Sequence, residues 1–287
     1  MRQTKDHLLQ RIGTGMAVSA ILWLLAGCAG RPVGQTANAD RELPSDVAKC
    51  QATLAGEAPA DSAELDAASI RLLNWNAQKN KRLNWQSDLK SLASDKNLVL
   101  VQEVSLRKDS INAIDSSRHW SFAPGYRSGG AVSGVLTLST SKPIAQCSFV
   151  NYEPVLRSPK ATVLTKYGLT TTDQELIVVN LHAVNFSMGL GAFQRQFEQV
   201  RQILEAHDGP VILSGDFNTW RRKRAEVVAD LAQSLGLTAL GFAKDHRVKK
   251  FGNYIDHIYI RGLSPLSSST SVVDSSDHNP MSATLAL

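Results

Sequence analysis

The run Val211-Ile-Leu-Ser-Gly-Asp216 constrains this chain more than any other stretch. A turn signal at Gly209-Pro210 leads into three apolar residues, and the run breaks at a glycine. Two further near-continuous apolar runs, Leu98–Gln102 and Leu176–Leu181, read as strands buried on both faces. Between Leu176–Leu181 and Val211–Asp216 lies a clear amphipathic helix, Gly191–His207, with Phe193, Phe197, Val200, Ile203 and Leu204 on one stripe. Buried strands interleaved with such helices call for an α/β fold. Shorter strands are expected at Ile70–Asn74, Gly134–Leu138, Ala161–Thr165, Tyr254–Ile260 and Met281–Leu287, with helices near Trp85–Ala93 and Arg222–Leu235. No repeat and no break after residue 68 divides this body, so residues 68–287 read as one domain.

Polar residues fall at the ends of these strands. Asn76, Glu103, His182, Asp216, Asn218 and the pair Asp277-His278 each lie at or just past a strand edge, and Asp256 sits inside an alternating strand. Residues i and i+2 of a strand point the same way, so Asp216 and Asn218 project together if the extended backbone continues past Gly215. A carboxylate beside a carboxamide suits an attacked phosphorus: one orients or deprotonates water, the other holds a charged oxygen. Taken singly, Gly-Asp-x-Asn is equally a turn, Glu103 equally a helix cap, and Asp277-His278-Asn279-Pro280 equally a turn before the last strand. Jointly they make a site, because buried carboxylates need partners, a metal or water.

The motifs Leu73-Asn-Trp-Asn76, Val101-Gln-Glu103, Ser133–Ser139, Asn180-Leu-His182, Ser214–Thr219, Ile255-Asp256 and Ser276-Asp-His-Asn-Pro280 occur in one order. In that order the chain resembles the endonuclease/exonuclease/phosphatase superfamily, the group of deoxyribonuclease I, abasic-site endonucleases and sphingomyelinases. Its likeness is closest to a bacterial branch, through Asn180–Gly189 and Trp220–Arg224. The resemblance covers about residues 70–287 and implies a four-layer sandwich of two mixed β-sheets flanked by helices. It implies Glu103 as main ligand of Mg²⁺ or Mn²⁺, with Asn76 and Asp277 beside the ion. It further implies Asp216 as the group that activates water, Asn218 on a transition-state oxygen, and His278 on the phosphoryl oxygen, oriented by Asp256. His182 stands where relatives carry a His or Tyr near the leaving group. Some relatives have an arginine two residues after the glutamate; here that position is Ser105, and Arg107 lies two further on. Arg157, Lys160 and Arg221 are candidate phosphate contacts, with solvated basic loops as the alternative.

The expected activity is metal-dependent hydrolysis of a phosphodiester. The formal charge of +5 is mildly basic, and the first 27 residues supply Arg2, Lys5 and Arg11 of it against Asp6. The run Arg221-Arg-Lys-Arg224 with Lys244, Arg247, Lys249 and Lys250 is a candidate footprint for nucleic acid, so a nuclease is the leading expectation. Phospholipid, sphingomyelin or phosphoinositide head groups are the alternative substrates, and a catalytically silent lipid-anchored binding protein is the alternative of another class. No aromatic hairpin suited to a bilayer stands out, since Trp220 and Phe251 are isolated in sequence. The chain is taken as a monomer.

At the N-terminus, three basic residues precede an uncharged run from Ile12 to Gly27 that ends in Leu25-Ala-Gly-Cys28. Its length suits a signal-peptide core better than a membrane span. The ending resembles a bacterial lipobox, which implies a signal peptide at 1–27 and lipidation of Cys28. Ala29 in place of Asp points to the outer membrane, periplasmic side, in a Gram-negative cell. Residues 28–67 read as a tether with a short helix near Ser45–Leu54. Cys50 and Cys147 remain, and export would permit a disulfide between them, which spacing alone does not decide.

Overall fold

A computed structural model of the chain describes residues 31–32, 46–56, 63–107, 117–187 and 189–287. The leader at 1–27 and Cys28 lie outside the described residues. In chain order the elements are β1 (Arg31–Pro32), α1 (Val47–Leu54), β2 (Ile70–Asn76), α2 (Trp85–Ala93), β3 (Leu98–Arg107), β4 (His119–Ser128), β5 (Ala131–Ser139) and β6 (Ala145–Tyr152). There follow β7 (Pro159–Gly168), β8 (Glu175–His182), α3 (Gly191–Glu205), β9 (Val211–Asp216), α4 (Arg222–Ser234), β10 (Thr238–Ala239), β11 (Lys249–Lys250), β12 (Asn253–Tyr254), β13 (Asp256–Arg261), β14 (Ser264–Thr270) and β15 (Met281–Ala286). Among the described residues no helix is long and apolar enough to cross a membrane.

Two mixed sheets stack face to face. One runs β1-β4-β5-β3-β2-β15-β14 and the other β10-β13-β9-β8-β7-β6. Each sheet holds one parallel pair at its centre, β2 with β3 and β8 with β9, and the remaining neighbours are antiparallel. Parallel strands need a covered crossover, and α2 and α3 supply these crossovers. The core follows the strand period of two. Leu72, Leu98, Leu100, Val178 and Ile212 fill the space between the sheets. Their neighbours Leu73, Val99 and Val101 turn outward under α2, while Ile177, Val179, Val211 and Leu213 turn outward under α1, α3 and α4. The four-layer sandwich expected from the resemblance is the fold found.

Part of the segment read as a tether is packed on the body. Helix α1 starts at Asp46, whose side chain accepts from the Lys49 N–H, and buries Cys50 and Leu54 against β6 and α3. Cys50 and Cys147 of β6 form a disulfide with their Cα atoms 5.4 Å apart. Further on, Leu65 bridges to Leu169 and is buried, so the body's own contacts begin before residue 68. The reason is apolar: among the described residues of this Ala-, Ser- and Asp-rich stretch, Cys50, Leu54 and Leu65 are buried.

Candidate active site

Three stacked layers of inward-facing residues lead from the core to the site. Past Leu72, Leu100, Val178 and Ile212, the next position on each strand is polar: Asn74, Gln102, Asn180 and Ser214, all buried. Gln102 Nε2 donates to Asn74 Oδ1 (2.9 Å) and to Asn180 Oδ1 (2.7 Å), and Asn180 Nδ2 donates to the Leu136 carbonyl. This amide layer ties one sheet to the other. One period further stand Asn76, His182 and Asp216, with His182 paired to Asp216 across the parallel β8–β9 register and Asp256 opposite Asp216 on β13. Gly215 permits this approach, since a Cβ there would sit 1.9 Å from the Leu181 carbonyl oxygen.

Asp216 is 2 % exposed and held on both oxygens. Asn76 Nδ2 donates to Oδ2 (3.0 Å), and the Asn218 backbone N–H donates to Oδ1 (3.0 Å). Burial lifts its pKa to about 6; the charge of nearby His278 opposes the rise, while Asp256 and Glu103 add to it. Both oxygens of Asp256 lie against His278 Nδ1 (3.0 and 2.8 Å), and His278 Nε2 is 3.9 Å from Asp216 Oδ2. Burial of His278 works against its charge, yet Asp256 and Asp216 outweigh it and raise its pKa to about 10. The ring therefore stands as an imidazolium between two carboxylates, oriented from behind by Asp256. Its backbone is fixed too: Trp75 Nε1 donates to the His278 carbonyl, and the His278 N–H reaches Ser276 Oγ.

Glu103 enters the same space by a break in the pattern. Strand β3 changes register against β5 between Val101 and Val104, and Glu103 takes φ 51° within that bulge. Opposite the bulge stands Gly134, where a Cβ would lie 2.1 Å from the Ala123 carbonyl oxygen. Asn218 likewise adopts φ 51°. Left-handed backbone at two non-glycine residues costs on the order of 1–3 kcal/mol each and persists only where the surroundings impose it. For Glu103 the imposing contacts come from Asn80: its Nδ2 donates to the Ser105 carbonyl and its Oδ1 accepts the Ser105 N–H. Gln78, Lys79 and Asn80 are themselves left-handed in succession, a tight turn that clamps the strand just past the glutamate.

A cation would meet two different environments here. Asp216, Asp256 and His278 offer ligand atoms within 4.8 Å of one another. Their geometry suits protons better, since His278 Nδ1 is committed to Asp256 and an imidazolium repels a metal. Glu103, with its side chain 23 % exposed, offers an open carboxylate, and Asp277 is exposed without a hydrogen bond or ion pair to another described residue. Asn76 Oδ1 accepts the Gln78 N–H. Carboxylate and carboxamide oxygens such as those of Glu103, Asp277 and Asn76 are of the type that suits a hard divalent cation.

His182 is buried at the junction of these groups. Its Nε2 lies 2.8 Å from Lys160 Nζ, 3.6 Å from Glu103 Oε1 and 3.6 Å from Asp216 Oδ2. Burial pushes its pKa well below 6.5, and the charges of Lys160, His278 and Lys79 push it the same way. An ammonium only donates, so the neutral ring accepts from Lys160 at Nε2. Beside this pair opens a cleft of ≈ 170 Å³ lined by Lys79, Glu103, Tyr126, Glu153, Lys160 and His182, with Leu156 and Phe186 at its lip.

Of the three candidate phosphate contacts, the structure brings only Lys160 into the cleft. Arg157 is exposed, lies over the Tyr152 ring and lines a separate hollow with Asn151 and Arg195. Arg221 is exposed and lies over the Trp220 ring (4.3 Å). The basic run also divides. Arg224 is 2 % exposed and donates to the carbonyls of Val184, Asn185 and Asn218, holding the loops that carry Asn218. Arg222 pairs with Glu226, and Arg247 with Asp245. A single footprint from 221 to 224 is thereby replaced by one buried strut and separate surface groups.

Other contributors escaped the sequence reading. Glu153 is 1 % exposed, and its Oε1 accepts the N–H groups of Asn185 and Phe186. Lys79 and Asn80 come from a turn whose left-handed backbone has no sequence signature. Glu153 sits before a proline in a loop, so only tertiary structure identifies it as buried. His257 serves the packing: it contacts Thr219 Oγ1, and burial first, then Arg247, lower its pKa to about 4.

Comparison with known proteins agrees with this fold. The chain is 37% identical over 222 residues to a UPF0294 protein of Vibrio vulnificus, covering 76% of this chain and 78% of that one. It is 35% identical over 256 residues to a UPF0294 protein of Yersinia enterocolitica, covering 88% and 94%. Among solved structures, the human Nocturnin catalytic domain with bound sulfate anion superposes with a TM-score of 0.60 at 17% identity, over 81% of this chain and 99% of that one. An endonuclease/exonuclease/phosphatase from Beutenbergia cavernae gives 0.58 at 15% identity, over 77% and 72%. The Bacteroides thetaiotaomicron mannosyl-6-phosphatase Bt3783 gives 0.56 at 17% identity, over 76% and 100%. These three likenesses speak for the fold. With residues 73–278 matching the Endonuclease/Exonuclease/phosphatase family as a whole, the chain belongs to that family and shares its phosphoesterase framework.

Proposed function

We propose that this chain is a divalent-metal-dependent phosphodiesterase whose water is activated by Asp216. The observation that carries this reading is the buried Asp216 carboxylate, lifted to about 6, between Asn76 and the Asp256-oriented His278. A carboxylate with that value is ionised at neutral pH and remains basic enough to take a proton from water. Glu103, Asp277 and Asn76 would hold Mg²⁺ or Mn²⁺, which when bound polarises phosphoryl oxygens and stabilises the leaving oxygen. Water attacks phosphorus, its proton passes to Asp216, and the ester P–O bond opposite breaks. His278 holds a phosphoryl oxygen through Nε2, and the second N–H of the Asn218 amide, whose first donates to the Ala183 carbonyl, is available to another. Lys160 and His182 stand at the cleft side, where the leaving group departs.

For the substrate, nucleic acid is one reading, supported by the remaining surface cations Arg221, Lys249 and Lys250. Dispersal of the 221–224 run weakens it, and an ester with a lipid substituent is the second reading. An outer-membrane lipid anchor at Cys28 remains a proposal of the sequence. The test is hydrolysis of bis(p-nitrophenyl) phosphate in EDTA, then with Mg²⁺ or Mn²⁺ restored, followed by DNA, RNA, sphingomyelin and phosphoinositides. Turnover that persists in EDTA would overturn the metal-dependent mechanism.

A further inference from the structure

The cleft has an apolar rim that the chemistry does not use. Val155, Leu156, Phe186 and Phe251 are 63 %, 53 %, 58 % and 87 % exposed. Leu156 and Phe186 line the cleft itself with Glu103 and His182. Phe251 continues the rim by contact: its ring packs 5.9 Å from Trp220, and Trp220 Nε1 donates to Asn185 Oδ1, the residue before Phe186. Residues isolated in the sequence are thus neighbours in space.

Phe251 is unfavourable where it stands on two counts. It forms the two-residue turn between β11 and β12 with Gly252, at φ 50° and 83°. That hairpin turn normally places Asn or Asp before the glycine, because a bulky side chain is strained at positive φ. The ring also faces water. A strained, exposed aromatic tip points to a ligand that covers it. Cations flank the rim at Leu156, Phe251 and Trp220: Arg157 follows Leu156, Lys249 and Lys250 precede Phe251, and Arg221 covers one face of Trp220.

We propose that this rim docks on a lipid–water interface containing anionic phospholipid, so that the cleft meets a phosphoester at the membrane surface. Apolar tips enter the head-group boundary while the cations meet anionic lipid. The rim suits lipid better than unpaired bases. Val155 and Leu156 are aliphatic and offer no ring face, and Trp220 is engaged by the guanidinium groups of both Arg221 and Arg224. The substrate part of this proposal rests on the phosphodiesterase reading; the docking part does not.

The experiment uses full-length chain in EDTA, added to vesicles of brominated phosphatidylcholine with phosphatidylglycerol. Tryptophan quenching is read in Phe251→Trp and in Leu287→Trp, after subtraction of the wild-type signal. Leu287 lies at the opposite end of the sheet from Asn76, since its N–H donates to the Ala67 carbonyl before β2 begins. Docking predicts quenching at 251 and not at 287, lost when phosphatidylglycerol is omitted or when Lys249→Glu/Lys250→Glu is added. With metal restored, Phe251→Ser should lower turnover of vesicle-borne phosphodiester on the order of tenfold, as loss of one partly inserted ring implies, and leave bis(p-nitrophenyl) phosphate turnover unchanged. Absent quenching at 251, equal quenching at both positions, or protection at 251 by single-stranded oligodeoxythymidine instead of vesicles would overturn the proposal. Quenching as expected without turnover of either ester would leave docking standing and remove the phosphodiesterase reading.

Discussion

The site divides into two unequal halves. Asp216, His182 and Asp256 come from the six-stranded sheet, and with His278 they are buried and oriented by partners on nearly every polar atom. Glu103 and Asp277 come from the β3 bulge and the loop before β15 in the other sheet, and both face solvent with few partners. The first half is preorganised for proton chemistry. In the proposed reading the second supplies oxygens for a cation. Buried groups can tune one another's pKa, whereas open ones can admit a cation from water.

The largest effect that would separate the halves is loss of the base. Asp216→Asn should reduce kcat by about 10³-fold while leaving metal affinity near wild type, as read from Mn²⁺ titrations. Next, Glu103→Gln should weaken metal affinity by at least about 100-fold, with part of the rate recovered at high metal. In third place, Asp256→Asn should reduce kcat by about 10²-fold by freeing the His278 ring. The pH profile sharpens this last point. Activity should rise with pH through about 6, as Asp216 ionises, and fall through about 10, as His278 loses its proton. Removing the Asp256 charge takes away a main support of the raised value, so the alkaline limb should move to lower pH.

The smallest catalytic effect is expected far from either half. Cys50 and Cys147 close a loop with sequence separation 97, and Cys50→Ser/Cys147→Ser should cost about 2–4 kcal/mol in denaturant unfolding. Because α1 packs on the outer face of the six-stranded sheet, kcat should not change.

What the sequence made legible follows the strand period. Apolar inward positions on β2, β3, β8 and β9 give way to Asn74, Gln102 and Asn180, then to Asn76, His182 and Asp216, so the buried half could be read from alternation and motif order. Glu103 and Asp277 are legible as polar residues at strand ends, but their role comes only from the family likeness, since Glu103 enters by a bulge that reverses its expected side. Strand β14, Ser-Pro-Leu-Ser-Ser-Ser-Thr, left no trace because it is an exposed edge with nothing apolar to bury. The surface cations were misleading for a related reason. Arg224 looks like its neighbours in sequence, and only packing against Phe193 and Trp220 makes it a strut. Phe251 is isolated in sequence, and its nearness to Trp220 is a property of the folded hairpin.

The most direct test is Mn²⁺ binding, measured calorimetrically on wild type, Glu103→Gln and Asp216→Asn, alongside the rate of each at saturating metal. If the open half holds the cation, Glu103→Gln loses affinity, and Asp216→Asn keeps affinity but loses rate. The opposite result, with Mn²⁺ binding intact in Glu103→Gln and abolished in Asp216→Asn, would place the metal among Asp216, Asp256 and His278 and contradict the division of labour.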